Sequence, residues 1–340
     1  MSMRTLSLAL VVLAATSLPV RSDDSTAALI AGGLVLEKAG TIALAAEDMY
    51  LSEQAVQIDY RFRNLTDSDI ETTIAFPMPD ITGDSEMLVS LPDPAHDNFL
   101  KFQSAVDGEP VESQVEQRAF LMRSDTPPVE ITARLKALGI PLVPTTTATE
   151  AALRRLGERQ RRDLIAAGIL ERQEHKDGTI ADAPLWTSKS KFWRRQVFPA
   201  GREIAVRQSY VPSLGGLASL SYGGPNLDPA QKAHYATRYC TDPTFERAAQ
   251  ALYRRSSADG SRAFQAYERS FSHVISSGGN WAGPIGQFKL VVDKGDPTTL
   301  VSFCGANVKK TGPTTFETVM RDFVPQRDIE ILLLKTKTGE

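Results

Sequence analysis

The sequence predicts a mostly β protein of two β-sandwich-like modules, the first interrupted by a small helical insert. Three observations carry this. Strand-length runs of alternating polarity recur along the chain and are split by Gly- and Pro-bearing turns, the punctuation of sandwiches. One stretch, at about 127–182, changes to helical spacing. Hydrophobic residues make up 42% and charged residues 23% of the 340, the balance of a folded chain rather than a disordered one.

The opening 22 residues, MSMRTLSLALVVLAATSLPVRS, read as a secretory signal. Arg4 forms a short basic region, Leu6 to Ala15 an apolar run, and Val20 and Ser22 offer small residues at positions −3 and −1 of a cleavage site. The run is too short to span a bilayer comfortably, and no later run approaches 18 apolar residues. No transmembrane segment is therefore expected after cleavage. The expected mature chain starts near Asp23 in a periplasmic or secreted, oxidising location. By length it holds two domains: 23–222, an N-terminal β module with the insert, and 223–340, a linking helix plus a C-terminal β module.

Val56 to Phe62 alternates Val56, Ile58, Tyr60 and Phe62 with Gln57, Asp59 and Arg61, the period of a half-buried strand. Asn64 to Asp69 is turn chemistry, and Thr72 to Phe76 resumes a strand that Pro77 and Pro79 stop. Phe99 to Val106, the Asp107-Gly108 turn and Val111 to Phe120 read as a hairpin. In the insert, Val129 to Leu138 has helical spacing and stops at Gly139. Thr147 and Glu150 stand at capping-box spacing before a second helical run that reaches Glu171. The arginines of that run alternate with Glu150, Glu158 and Asp163, which marks a solvated helix face rather than a basic patch.

Strands return at Phe192 to Phe198 and Glu203 to Tyr210, with Trp186 and Trp193 placed to staple the insert down. Asp242 and Pro243 suit the N-cap and first turn of a helix reaching Arg255. Five further strand runs follow: Phe271 to Ile275, Gly286 to Val292, Leu300 to Cys304, Thr315 to Met320 and Ile329 to Lys335.

Several strings in this order resemble a bacterial family known as a domain of unknown function, DUF4424. They include Glu47-Asp48-Met49-Tyr50-Leu51, Ala75-Phe76-Pro77-Met78-Pro79-Asp80, Val197-Phe198-Pro199-Ala200-Gly201, Tyr239-Cys240, Asn280-Trp281-Ala282-Gly283-Pro284-Ile285, Val301-Ser302-Phe303-Cys304-Gly305 and Asp322-Phe323-Val324-Pro325. The resemblance implies an exported bacterial protein and brings no catalytic residues with it. Asn64, Phe76-Pro77 and Val106-Asp107-Gly108 are more loosely similar to VIT-type β-sandwich domains, a pattern from which the helical insert departs.

Function is less legible. With 38 basic and 41 acidic residues the net charge is −3, and cleavage would remove Arg4 and Arg21 and move it to about −5. Such a chain is a poor partner for nucleic acid. Cys240 and Cys304 are the only cysteines, and an even pair outside the cytoplasm implies a disulfide. A nucleophilic Cys240 with His234 as its base is disfavoured, because a spacing of six does not put the side chains on adjacent turns. His96, His175, His234 and His273 stand singly, with no G-x-S-x-G, H-E-x-x-H or C-x-x-C, so no catalytic residue, metal or cofactor is expected. The paired glycines at 32–33, 215–216, 223–224 and 278–279 match no phosphate loop. Asn64, Asp67 and Asp69 could lend oxygens to calcium, but turn chemistry accounts for them.

The candidate binding residues are Trp281 and Asn280, on the Gly-rich stretch Ser277 to Pro284. Exposed, Trp281 could stack on a sugar or anchor a partner with Asn280 adding hydrogen bonds; buried, it plugs one end of a sandwich. The reading that follows is a non-enzymatic binding or structural module of the cell envelope, with an envelope protein or glycan as partner. The alternative is an envelope hydrolase whose carboxylates converge only in the fold. The sequence carries no signal for oligomeric state.

Overall fold

The structure, a computed structural model, describes residues 25–30, 33–37, 40–78, 80–83, 90–96, 98–123, 126–174, 178, 180–257, 264–275 and 281–338. Strand exceeds helix, 48% against 18%. The N-terminal half holds β1 (Ser25–Ile30), β2 (Gly33–Glu37), β3 (Ile42–Leu51), β4 (Val56–Asn64), β5 (Ile70–Pro77), β6 (Ile81–Thr82), β7 (Gln103–Val106), β8 (Glu109–Val111), β9 (Gln114–Arg123) and β10 (Thr126–Glu130). The insert adds α1 (Thr132–Ala137), α2 (Thr147–Arg154), α3 (Glu158–Ala166), β11 (Leu170–Glu174) and β12 (Ile180–Pro184). Next come β13 (Trp186–Phe198), β14 (Glu203–Tyr210), β15 (Gly215–Leu217), α4 (Pro229–Tyr239) and α5 (Pro243–Ser257). The chain closes with β16 (Phe264–His273), β17 (Ile285–Asp293), β18 (Leu300–Phe303), β19 (Lys309–Lys310), β20 (Thr315–Phe323) and β21 (Ile329–Thr338).

An eight-stranded sheet, β19-β20-β17-β3-β4-β14-β7-β8, forms the base. β4 buries every second residue, Val56 through Asn64, and exposes Gln57, Asp59, Arg61 and Arg63, as its polarity pattern requires. The buried face is covered by two sheets. Ile74 and Phe76 of β5 with Phe192 and Phe198 of β13 belong to the sheet β10-β9-β13-β5-β1-β2, to which β6 adds by pairing with β13. Phe271, Ile329, Ile331 and Leu333 belong to the sheet β15-β16-β21-β18. The opposite face of that last sheet, Ala266, Leu332 and Leu334, packs under α5 and α4 through Ala249, Leu252 and Tyr239. β17, from the C-terminal part, pairs in parallel with β3, so strands from both ends of the chain share the base sheet.

A register shift at Ala45 interrupts the β3–β4 ladder. The extra residue reverses the side-chain parity, so Ile42 and Leu44 point inward before it and Glu47, Met49 and Leu51 after it. That is how a carboxylate, Glu47, comes to be fully buried while its neighbour Asp48 faces out.

Some local expectations are corrected. The Asp107-Gly108 turn is real, with φ of 49° and 90°, but its second arm is only β8. The chain then leaves the base sheet at Glu112–Ser113, because Ala119 and Leu121 of β9 bury against the insert rather than against β7. Val129 is an exposed strand residue, and the first insert helix starts at Thr132. The second is capped one residue earlier than its spacing suggests, the Thr149 N–H donating to Thr146 Oγ1 at 3.1 Å. The expected long helix is two, parted at Leu156–Gly157. Arg161, bonded to Asp182 at 2.6 Å and Glu158 at 2.7 Å, holds the second against the β11–β12 hairpin. Trp186 closes the insert's own core, its indole N–H donating to the Leu142 carbonyl at 2.7 Å.

Candidate functional site

A cavity of about 320 Å3 opens between α4 and the edge of the β15–β16 pair. The roof helix starts with the same grammar as α5. The Asp228 side chain accepts from the Gln231 N–H at 2.8 Å, Gln231 Oε1 accepts from the Asp228 N–H at 3.2 Å, and Pro229 fills the first turn. Where α4 ends, Cys240 takes the left-handed conformation (φ 54°) and is bonded to Cys304, 64 residues away. The last carbonyls of the helix all find donors: Arg327 Nη2 reaches Thr237 O at 2.5 Å and Arg238 O at 3.2 Å, and Ser302 Oγ reaches Tyr239 O at 2.9 Å. Disulfide, arginine and serine together fix the C-terminal end of the roof.

On the floor lies Glu268 of β16, 4% exposed. Its Oε1 accepts the backbone N–H groups of Ser221 at 2.7 Å and Tyr222 at 2.6 Å, and its Oε2 accepts the Tyr235 hydroxyl at 2.7 Å. In all three bonds the carboxyl oxygens accept. Glu268 has no ion-pair partner among the described residues. The two N–H groups reach it because the 221–224 turn lies flat on α5. Gly223, at φ 90°, stands where a Cβ would meet the Ala249 backbone at 2.6 Å. Gly216 presses equally close, where a Cβ would come within 2.2 Å of the Glu268 carbonyl. The paired glycines of the sequence thus bring backbone to backbone around this carboxylate.

Tyrosine rings line the cavity. Tyr235 and Tyr239 sit one helical turn apart, 5.8 Å between centroids, and the Tyr222 ring lies behind, tilted 46° to Tyr235 at 4.7 Å. Burial first, and the negative charge of Glu268 second, push the Tyr235 hydroxyl far up, so it keeps its proton. Burial raises Tyr239 as well. Arg238 is neutralised by a bond to Glu330 and lies over the Tyr239 ring at 5.3 Å. Arg269 also borders the cavity, its guanidinium 5.1 Å from the Tyr267 ring. His234 is an exposed residue of the rim. This arrangement holds protons in place. It can fix and orient a ligand.

The residues singled out by sequence sit elsewhere. Trp281 is 1% exposed, with its ring 4.7 Å from Phe62 and 6.3 Å from Phe198, and the next residue's N–H bonds to Ile42 O at 2.8 Å. The indole is drawn between base sheet and cover by the large apolar area it buries, which removes it from any stacking surface. Asn280, like His175, Gly278 and Gly279, lies outside the described residues. Asn64 serves its own turn, its oxygen accepting the Thr66 N–H at 2.9 Å and its amide reaching Phe198 O at 2.9 Å. Among the described residues no group of three or more His, Cys, Asp or Glu side chains converges as metal ligands. No described helix is long and apolar enough to cross a membrane.

The fold is β-rich and disulfide-bonded, with a small cavity under α4. The chain is a member of the DUF4424 family, a domain of unknown function, which it matches over residues 22–332. No curated protein matches it. Among solved structures it is similar to a Legionella pneumophila protein described as a candidate nutrient binding protein. The two share 13% identity, with a TM-score of 0.43 over 87% of this chain and 68% of that one. That likeness is too distant to assign a role.

Proposed function

We propose that this chain is an exported, non-enzymatic binding module of the bacterial cell envelope, and that its ligand seats in the cavity between α4 and β16. The observation that carries the reading is the Glu268 carboxylate, buried yet turned toward an open cavity and oriented by three donors on two different segments. A preorganised polar group in a small, partly apolar cavity is the usual construction of a small-molecule site. Export is supported by the apolar leader after Arg4 and by the Cys240–Cys304 disulfide, which needs an oxidising compartment. An envelope protein or glycan partner is compatible with this reading, with the cavity as the specific element.

The test is native mass spectrometry of the chain recovered from the periplasm, beside a Leu217→Trp variant that fills the cavity. A mature N-terminus at Asp23 and a small adduct carried by the native chain, lost in the variant, are expected. A chain retained in the cytoplasm, or an adduct indifferent to Leu217→Trp, would overturn the proposal.

A further inference from the structure

Resting on the cavity as the binding site, we infer that its ligand carries an ammonium group, a small organic amine or quaternary ammonium compound that ion-pairs with Glu268. Carboxylates are rarely buried without a cation, because removing the charge from water costs far more than neutral hydrogen bonds return. Glu268 is such a case. Three neutral donors satisfy its oxygens, and no lysine, arginine or histidine among the described residues pairs with it. Both guanidiniums that border the cavity have other neighbours, Arg238 the Glu330 carboxylate and Arg269 the Tyr267 ring. Glu268 is the one carboxylate among the residues that line the cavity, and no described cation bonds to it.

Its walls suit the complementary group. Tyr235 and Tyr239 supply aromatic surface beside the carboxylate, and aromatic rings attract cations whose hydration is weak. An anionic ligand would meet repulsion from Glu268, and a neutral one would leave the charge without a counter-ion. The 320 Å3 available equals roughly ten water volumes, which limits the ligand to about ten non-hydrogen atoms.

The experiment uses the full exported chain with its disulfide intact and three probes: choline, its uncharged isostere 3,3-dimethylbutan-1-ol, and phenylacetate as an anion. The readouts are calorimetry and the amide resonances of Ser221 and Tyr222, which touch the carboxylate. Choline is expected to shift both amides saturably and to bind at least tenfold more tightly than the isostere, with Glu268→Gln removing that advantage. If Glu268→Gln does not fold, the ratio of choline to isostere on the unaltered chain decides. Equal or tighter binding of the isostere or phenylacetate at these amides would overturn the ammonium assignment while leaving the cavity a binding site. No shift with any probe would overturn the assignment and the cavity reading together.

Discussion

Acid should destabilise this protein through one residue in particular, His273. The side chain is 2% exposed where three sheets meet, sharing a 2.8 Å hydrogen bond between Nδ1 and the Tyr210 hydroxyl, with the Phe76 ring 5.9 Å away. Nε2 is buried without a hydrogen-bond partner among the described residues. Burial alone pushes the imidazole down from 6.5 to about 3. In the unfolded chain the ring takes up a proton as the pH falls through 6.5, and in the folded chain it stays neutral until about 3. Between these values the unfolded state binds one more proton, so stability falls as the pH falls. The loss is about 1.4 kcal/mol per pH unit, hence about 2.7 kcal/mol between pH 7.5 and pH 4.5. His273→Gln keeps a polar partner for Tyr210 and cannot titrate. Urea unfolding of both chains at the two pH values, with the carboxylate contributions common to both, should show the parent losing about 2.7 kcal/mol more than the variant. Equal losses would refute the claim that His273 is folded neutral.

Three further outcomes follow from the packing. Trp281→Ala removes a buried indole from between Phe62 and Phe198 and should cost about 3–5 kcal/mol by urea unfolding, with a smaller loss for Trp281→Phe. Replacing Cys240 and Cys304 together by alanine frees a loop of 64 residues' separation. It should lower stability by about 4 kcal/mol, seen as a reduced Tm that dithiothreitol does not lower further. Trp186→Phe leaves the Leu142 carbonyl without its donor. A loss of about 1–3 kcal/mol is expected, together with faster amide exchange in α1 to α3 than in the base sheet.

How far the sequence went depended on whether the determining contact was local. The strand β4, the N-cap of α5 and the pairing of the cysteines all rest on a few consecutive residues or on compartment chemistry, and each is found as read. Failures occurred where a distant contact decided. Nothing between Val111 and Phe120 announces that the chain changes sheets at Glu112, since the reason, the insert packed on Ala119 and Leu121, lies tens of residues away. For Trp281 the local residues favour a plug over an exposed ring without naming its neighbours, and those, Phe62 and Phe198, come from distant strands.

The cavity was missed for a different reason, and one part of it was within reach. Asp228-Pro229 with Gln231 is the same cap signal as Asp242-Pro243, and applying it twice would have placed α4 and put Tyr235 and Tyr239 on one face. Glu268 was out of reach. In sequence it stands between Tyr267 and Arg269 as one acid among 41, and strand alternation alone leaves open which face is covered. That three neutral donors and no described cation hold it is a property of three segments, the 221–224 turn, α4 and β16, that meet only in the fold. A carboxylate of that kind differs from Glu47, which the Ala45 bulge turns into the sealed interior of the sandwich. Glu268 keeps an opening beside it, and a buried charge that a ligand can reach is the more informative of the two.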